Sequence, residues 1–201
     1  RSKDGQNLDI STEVAANATA TPFTITRAQA ELTIDLEFSH EIAEGNTADY
    51  NDFTVTVSGP DGQEQSYRIG ADEGDIPYTE DGAEIKVSLN KGERYTVEVK
   101  GAGYRTFRQS VTMDDNKTMT IWNNAKDTEG AVVDDVKAET TFLAGDILMD
   151  NEINLYDLSA VVSYFGQTGL KDAADYEDYR AYDLNRDGKI DSRDVAMVLV
   201  S

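Results

Sequence analysis

Two acidic stretches in the last third of the chain share one register, and that register restricts the fold more than any other feature. The sharper copy runs Asp183-Leu184-Asn185-Arg186-Asp187-Gly188-Lys189-Ile190-Asp191-Ser192-Arg193-Asp194. Side-chain oxygens stand at positions 1, 3, 5, 9 and 12, a glycine at position 6 and an isoleucine at position 8. Calcium takes about seven oxygens at roughly 2.3–2.6 Å, and a short segment can supply them only by turning sharply. Gly188 permits that turn because it tolerates positive φ. The carbonyl of Lys189 is expected to serve at position 7, and Ile190 to tie the loop into a core. Asp194 is expected at the start of an exiting helix, where the helix dipole favours a carboxylate.

The other copy reads Asp146-Ile147-Leu148-Met149-Asp150-Asn151-Glu152-Ile153-Asn154-Leu155-Tyr156-Asp157, with Asp183 lying 37 residues beyond Asp146. Asp146, Asp150, Asn154 and Asp157 keep oxygens at positions 1, 5, 9 and 12, with the acidic Glu152 nearby as a further metal candidate. Asn151 takes position 6 as the next best residue for a left-handed backbone. Leu148 at position 3 cannot ligate, so water or a neighbouring carbonyl must fill that place. A lone acidic loop is common in turns and caps. Two in one register are an internal repeat, since apolar residues at helical steps follow each: Leu158, Val161, Val162 and Phe165, then Val195, Val198 and Leu199. The expected cofactor is two calcium ions. Position 12 is Asp rather than the Glu of an EF-hand, and residues 140–145 read as extended, so these are loop–helix half-motifs without entering helices.

The chain before residue 140 has a different period. Leu32, Ile34, Leu36 and Phe38 alternate with polar residues, as do Phe53, Val55 and Val57, then Tyr67 and Ile69, then Ile85, Val87 and Leu89. Gly59-Pro60-Asp61-Gly62 and Asn90-Lys91-Gly92-Glu93 are turns. Tyr95, Val97 and Val99 read as the returning strand of a hairpin after the second turn. Val111 and Met113 with Met119 and Ile121 suggest a last hairpin closed near Asp114-Asp115-Asn116. About seven short strands with turns between them predict an all-β, immunoglobulin-like sandwich. Residues 1–20 read as a frayed terminus, and 123–139 as an acidic linker or a last strand. The expected division is 1–140 for the sandwich and 141–201 for a small all-α unit with two loop–helix calcium motifs.

Composition removes several function classes. The net charge of −21 opposes nucleic acid and anionic membrane surfaces as partners. No apolar run reaches the roughly 20 residues that span a bilayer. Absence of cysteine excludes disulfides, zinc–thiolate sites and thiol catalysis. A start at Arg1 and an end at Ser201 within an apolar segment suggest a fragment or a mature piece without its leader.

Gly145–Asp157, with its "GD…D…IN..D" pattern, and Asp183–Asp194, with "D.NRDGKID..D", carry a family resemblance. Residues 142–201 resemble a dockerin, the duplicated calcium-binding module of bacterial cellulosomes. Leu148 and Asn151 make the first copy similar to the type II-like dockerins of scaffolding proteins, which often follow a β-sandwich called an X module. The stretch KGERYTVEVKGAGYRTF resembles prealbumin-like or collagen-adhesin B-type repeats, which implies a stabilising or spacing role. The resemblance implies calcium-dependent binding to a cohesin on another protein, secretion, and attachment to a scaffold or cell surface through that partner. It implies no enzyme activity. In the family, loop positions 10 and 11 and the next helix face meet the cohesin. Here these are Leu155, Tyr156, Val162 and Ser163 in one copy and Ser192, Arg193, Leu199 and Val200 in the other. Leu155 and Val162 could instead pack between the two helices. Two alternatives remain: a fragment of a polysaccharide-active or carbohydrate-binding protein carrying a dockerin, and a calcium-dependent surface adhesin.

Other candidate sites read as structural. The sole histidine, His40, beside Glu41, is expected to be solvated near a strand end. Glu80 with Asp81, and Asp114 with Asp115, could suggest paired-carboxylate glycosidase chemistry but lie in turn-like segments. Trp122, Tyr95 and Tyr104 could form a sugar-stacking platform, with packing the better expectation.

Overall fold

The computed structural model describes residues 27–37, 52–60, 62–70, 72–79, 82–122, 131–133, 136–137 and 142–201. Phe38, His40, Glu41, Glu80, Asp81, the terminus 1–20, and all of 123–139 except 131–133 and 136–137 lie outside these residues, as do the Trp122 ring and the side chains of 131–133 and 136–137.

Alternation produces the first sheet. In β1 (Gln29–Glu37), Ala30, Leu32, Ile34 and Leu36 point inward and the residues between them outward. It pairs antiparallel with β4 (Ala83–Asn90) and parallel with β8 (Lys117–Trp122). Two short strands, β9 (Ala131–Val133) and β10 (Val136–Lys137), extend the edge, giving the order β10-β9-β8-β1-β4. The second sheet is antiparallel, in the order β3-β2-β5-β7. Its members are β2 (Thr54–Ser58), β3 (Glu64–Arg68), β5 (Arg94–Lys100) and β7 (Phe107–Thr112). Val55 and Val57 of β2, Val97 and Val99 of β5, and Phe107 of β7 are buried with the inward row of β1 in one core. This is the expected sandwich.

Both expected hairpins are absent. β4 and β5, joined by the turn at 90–93, lie in different sheets, and so do β7 and β8. Each connection crosses the core instead of folding back. Period-two alternation fixes which face of a strand is buried, but both arrangements satisfy that requirement.

A two-residue strand, β6 (Gly103–Tyr104), leaves the second sheet and pairs antiparallel with β11 (Ala144–Asp146). Three helices follow: α1 (Leu155–Ser163), α2 (Tyr176–Tyr179) and α3 (Ser192–Val200), with a 3-10 turn at Leu170–Asp172. α1 and α3 pack on each other and on β11. The C-terminal part is therefore not purely helical, and the one-turn α2 precedes the second loop.

The two parts share a core. Phe142 stacks on Tyr104 with ring centroids 5.3 Å apart, and Phe53 meets Tyr104 edge-on at 4.9 Å. Gly103 has φ +75°, and a Cβ there would lie 2.4 Å from the carbonyl oxygen of Ala181. Only glycine allows the sandwich to approach the helical part this closely.

Candidate metal loops and docking face

The two acidic stretches repeat in structure as well as in sequence. In both, the position-1 carboxylate accepts from the amides of positions 5 and 6. Asp146 takes Asp150 N at 3.0 Å and Asn151 N at 2.9 Å. Asp183 takes Asp187 N at 3.1 Å and Gly188 N at 2.9 Å. Position 5 accepts from position 7 in both, Glu152 N to Asp150 and Lys189 N to Asp187, each at 3.0 Å. Backbone conformation repeats too. Position 6 is left-handed in both copies, at Asn151 (φ 68°) and Gly188 (φ 86°). Position 4 is also left-handed, at Met149 (φ 56°) and Arg186 (φ 57°). Strain at position 4 has no sequence signature, because neither residue favours positive φ.

Each loop ends by capping its helix. Asn154 accepts from Tyr156 N at 2.8 Å, and Asp157 returns the bond by accepting from Asn154 N at 2.9 Å. Asp191 and Asp194 do the same for α3, accepting from Arg193 N and Asp191 N at 2.8 Å each. Positions 9 and 12 are thus the N-cap and third residue of a capping box. Asp194 sits in the first turn of α3 rather than opening it.

Asp146, Asp157, Asp183 and Asp194 are buried, as is Asn185, and Ile190 is fully enclosed. Burial pushes the Asp194 carboxyl up to about 6, with the charge of Asp183 adding to it. Asp183 and Asp146 are also raised, mainly by burial. Among the described residues no group of three or more His, Cys, Asp or Glu side chains is gathered so as to hold a metal ion by itself. The carboxylates are turned onto loop amides, Tyr176 donates its hydroxyl to Asp183 at 2.8 Å, and Arg193 reaches Asp187 at 3.3 Å. The donor set is nevertheless all oxygen, which suits a hard cation such as calcium. Buried carboxylates need a proton or a cation to offset lost hydration, and a divalent ion would supply that charge. Glu152 and Lys189, at position 7 of the two loops, are exposed. Leu148 is exposed, and its amide donates to Asp157 at 3.0 Å.

Leu155 (78%) and Tyr156 (75%) are the most exposed large hydrophobic side chains among the described residues, followed in part by Leu199 (65%) and Val200 (63%). Val162, Ser163, Ser192 and Arg193 are exposed as well. The interhelical packing suggested for Leu155 and Val162 is not what the structure has. Val161 and Val198 fill that role. Every exposed large hydrophobic among the described residues lies between Leu148 and Val200, and none in the sandwich.

The other candidates resolve as packing or surface charge. Tyr95 and Tyr104 are buried, with their hydroxyls bonded to Asn90 N and the Leu184 carbonyl, so they form no sugar platform. Asp114 and Asp115 pair with Lys117 and Lys91 on the surface. No helix of the described residues is long and apolar enough to cross a membrane.

Sequence reading missed Arg186. It is one of the largest fully buried side chains, and its partner Asp52 is 134 residues away, so local pattern could not reveal it.

The described residues thus form a β-sandwich joined to two loop–helix repeats. Residues 144–199 match the family model of the dockerin type I domain, and this part of the chain is a dockerin. Two solved structures are similar to this chain over 85% of its length. One is an N-terminal interface mutant of a type II cohesin–X–dockerin complex from Acetivibrio cellulolyticus. It is 25% identical with a TM-score of 0.50, covering 85% of this chain and 93% of that one. The other is a C-terminal interface mutant of that type of complex from the same organism. At 20% identity, a TM-score of 0.53 and the same coverage, it shows likeness of fold. No curated protein matches the chain.

Proposed function

We propose that this chain is a calcium-dependent docking unit that binds a cohesin and so attaches its parent protein to a cellulosome-like extracellular assembly. One observation carries the reading most strongly. All large exposed apolar side chains of the described residues lie on the dockerin, with Leu155 and Tyr156 foremost, at positions 10 and 11 of the first loop. Isolated exposed apolar residues are ordinary, but their confinement to one end marks an interaction face.

In this reading two calcium ions bind. One is held by Asp146, Asp150, Glu152 through its carbonyl, Asn154 and Asp157. The other is held by Asp183, Asn185, Asp187, Lys189 through its carbonyl, Asp191 and Asp194. The cohesin covers Leu155, Tyr156, Val162 and Ser163, or Ser192, Arg193, Leu199 and Val200. Residues 1–140 form the X-like sandwich and 141–201 the dockerin, and neither carries out catalysis. Pull-down against a panel of cohesins tests the reading. Capture by at least one cohesin in calcium supports it, and failure with every type favours an adhesin without a cohesin partner.

A further inference from the structure

The same loop position is used differently in the two copies. Position 4 is left-handed in both, yet Met149 projects into solvent whereas Arg186 is buried against the sandwich. Its Nη2 donates to Asp52 and to the carbonyl of Ala102, both at 2.9 Å. Its Nη1 donates to the carbonyl of Arg180 and, at 2.6 Å, to that of Asp183, the first residue of the second loop. Asp52 also accepts from Ala102 N at 2.9 Å and from Arg180 Nη1 at 3.4 Å. One guanidinium therefore links the start of the second loop to the sandwich, and Asp52 neutralises it.

We infer that Asp52, acting through Arg186, is a positioning residue that couples calcium occupancy of the second loop to the seating of the sandwich on the dockerin. The inference rests on the calcium reading of the loops. Asp52 holds the guanidinium so that Asp183 keeps its place, and it cancels a positive charge that would otherwise oppose an incoming cation. Coupling of this kind is reciprocal: a filled loop two tightens the sandwich contact, and the contact tightens the ion. The first loop meets the sandwich through the β11–β6 pairing and through Thr106 N, which donates to Asn151 Oδ1 at 3.1 Å in an exposed place, whereas the Arg186 clamp on the second loop is buried and charged.

The test is calcium titration of the full chain by calorimetry. Asp187→Asn identifies the step that belongs to loop two. Asp52→Asn is expected to weaken that step by roughly tenfold while leaving the other unchanged. In the Arg186→Met background, Asp52→Asn should add nothing, because Asp52 acts through the arginine. An unchanged second-loop affinity overturns the inference, and so does an equal loss in both backgrounds. Absence of calcium binding by the wild-type chain overturns the loop reading itself and the coupling with it. Wild-type hydrogen exchange gives the answer if a variant does not fold. Calcium should slow exchange of the Ala102 amide that Asp52 accepts, and an unaltered rate counts against the coupling.

Discussion

Tyr104, in the sandwich, donates its hydroxyl to the carbonyl oxygen of Leu184, in the second loop, at 3.0 Å, and both groups are buried. The bond fixes the loop backbone next to Asp183 from outside the dockerin. Tyr104→Phe keeps the ring stacked on Phe142 but leaves that carbonyl without its donor. Such a loss costs about 1–3 kcal/mol. Thermal unfolding in calcium should show a lower midpoint for the helical signal, and an unchanged midpoint would mean that the bond contributes nothing.

At pH 7, calcium removal should unfold the dockerin and spare the sandwich. The loops hold buried carboxylates at Asp146, Asp157, Asp183 and Asp194, and a unit of about sixty residues has little core to resist their repulsion. Leu32 and Ile34 of β1 and Val97 and Val99 of β5 are fully buried on strands that carry no loop ligand, so the sheets keep most of their own core. Circular dichroism should lose its helical component on chelation, while the β signal persists. Unchanged helix content contradicts this.

Calcium-free protein should respond to acid in the opposite sense from calcium-loaded protein. The folded pKa of Asp194 stands at about 6, above its ordinary value of 3.8, and Asp146 and Asp183 are raised as well. A group raised in the folded state favours folding below its ordinary pKa and loses that contribution as pH climbs through the folded value. Without calcium, stability should therefore rise as pH falls from 7 to 5, by about 1 kcal/mol from Asp194. With calcium, protons compete with the ion and stability should fall over the same range. Melting temperatures across this range, with and without calcium, give both slopes. Parallel slopes refute the assignment.

Cohesin binding should be dominated by one copy of the repeat. The exposed pair Leu155-Tyr156 in the first copy corresponds to Ser192-Arg193 in the second. A pocket that buries leucine and an aromatic ring gains roughly 1.5–3 kcal/mol per side chain, whereas it would leave serine and arginine poorly solvated. The two orientations should differ by more than about 1.4 kcal/mol, a tenfold preference. Leu155→Ala/Tyr156→Ala should weaken binding more than Ser192→Ala/Arg193→Ala, with calcium retained in both. Equal, small losses would indicate two interchangeable modes.

The loops were legible in sequence because their chemistry is local. The spacing of the side-chain oxygens, the turn at Gly188 and Asn151, and the carboxylate of Asp194 in the first helical turn all lie within twelve residues, whereas the capping by Asn154 and Asp191 went unread. The strands were legible for the same reason. Sheet membership was not, because β4 and β5 carry the same alternation whether they pair or cross the core. The joint between the parts was least visible. It depends on Asp52 meeting Arg186, and on Gly103 admitting Ala181, pairs brought together only by the finished fold.

Calorimetric titration of the full chain against candidate cohesins, with calcium and with chelator, tests the central claim most directly. The account predicts saturable one-to-one binding to a cohesin in calcium, its loss on chelation and its return when calcium is restored. Undiminished binding after chelation, or no binding to any cohesin by the calcium-loaded chain, would contradict it.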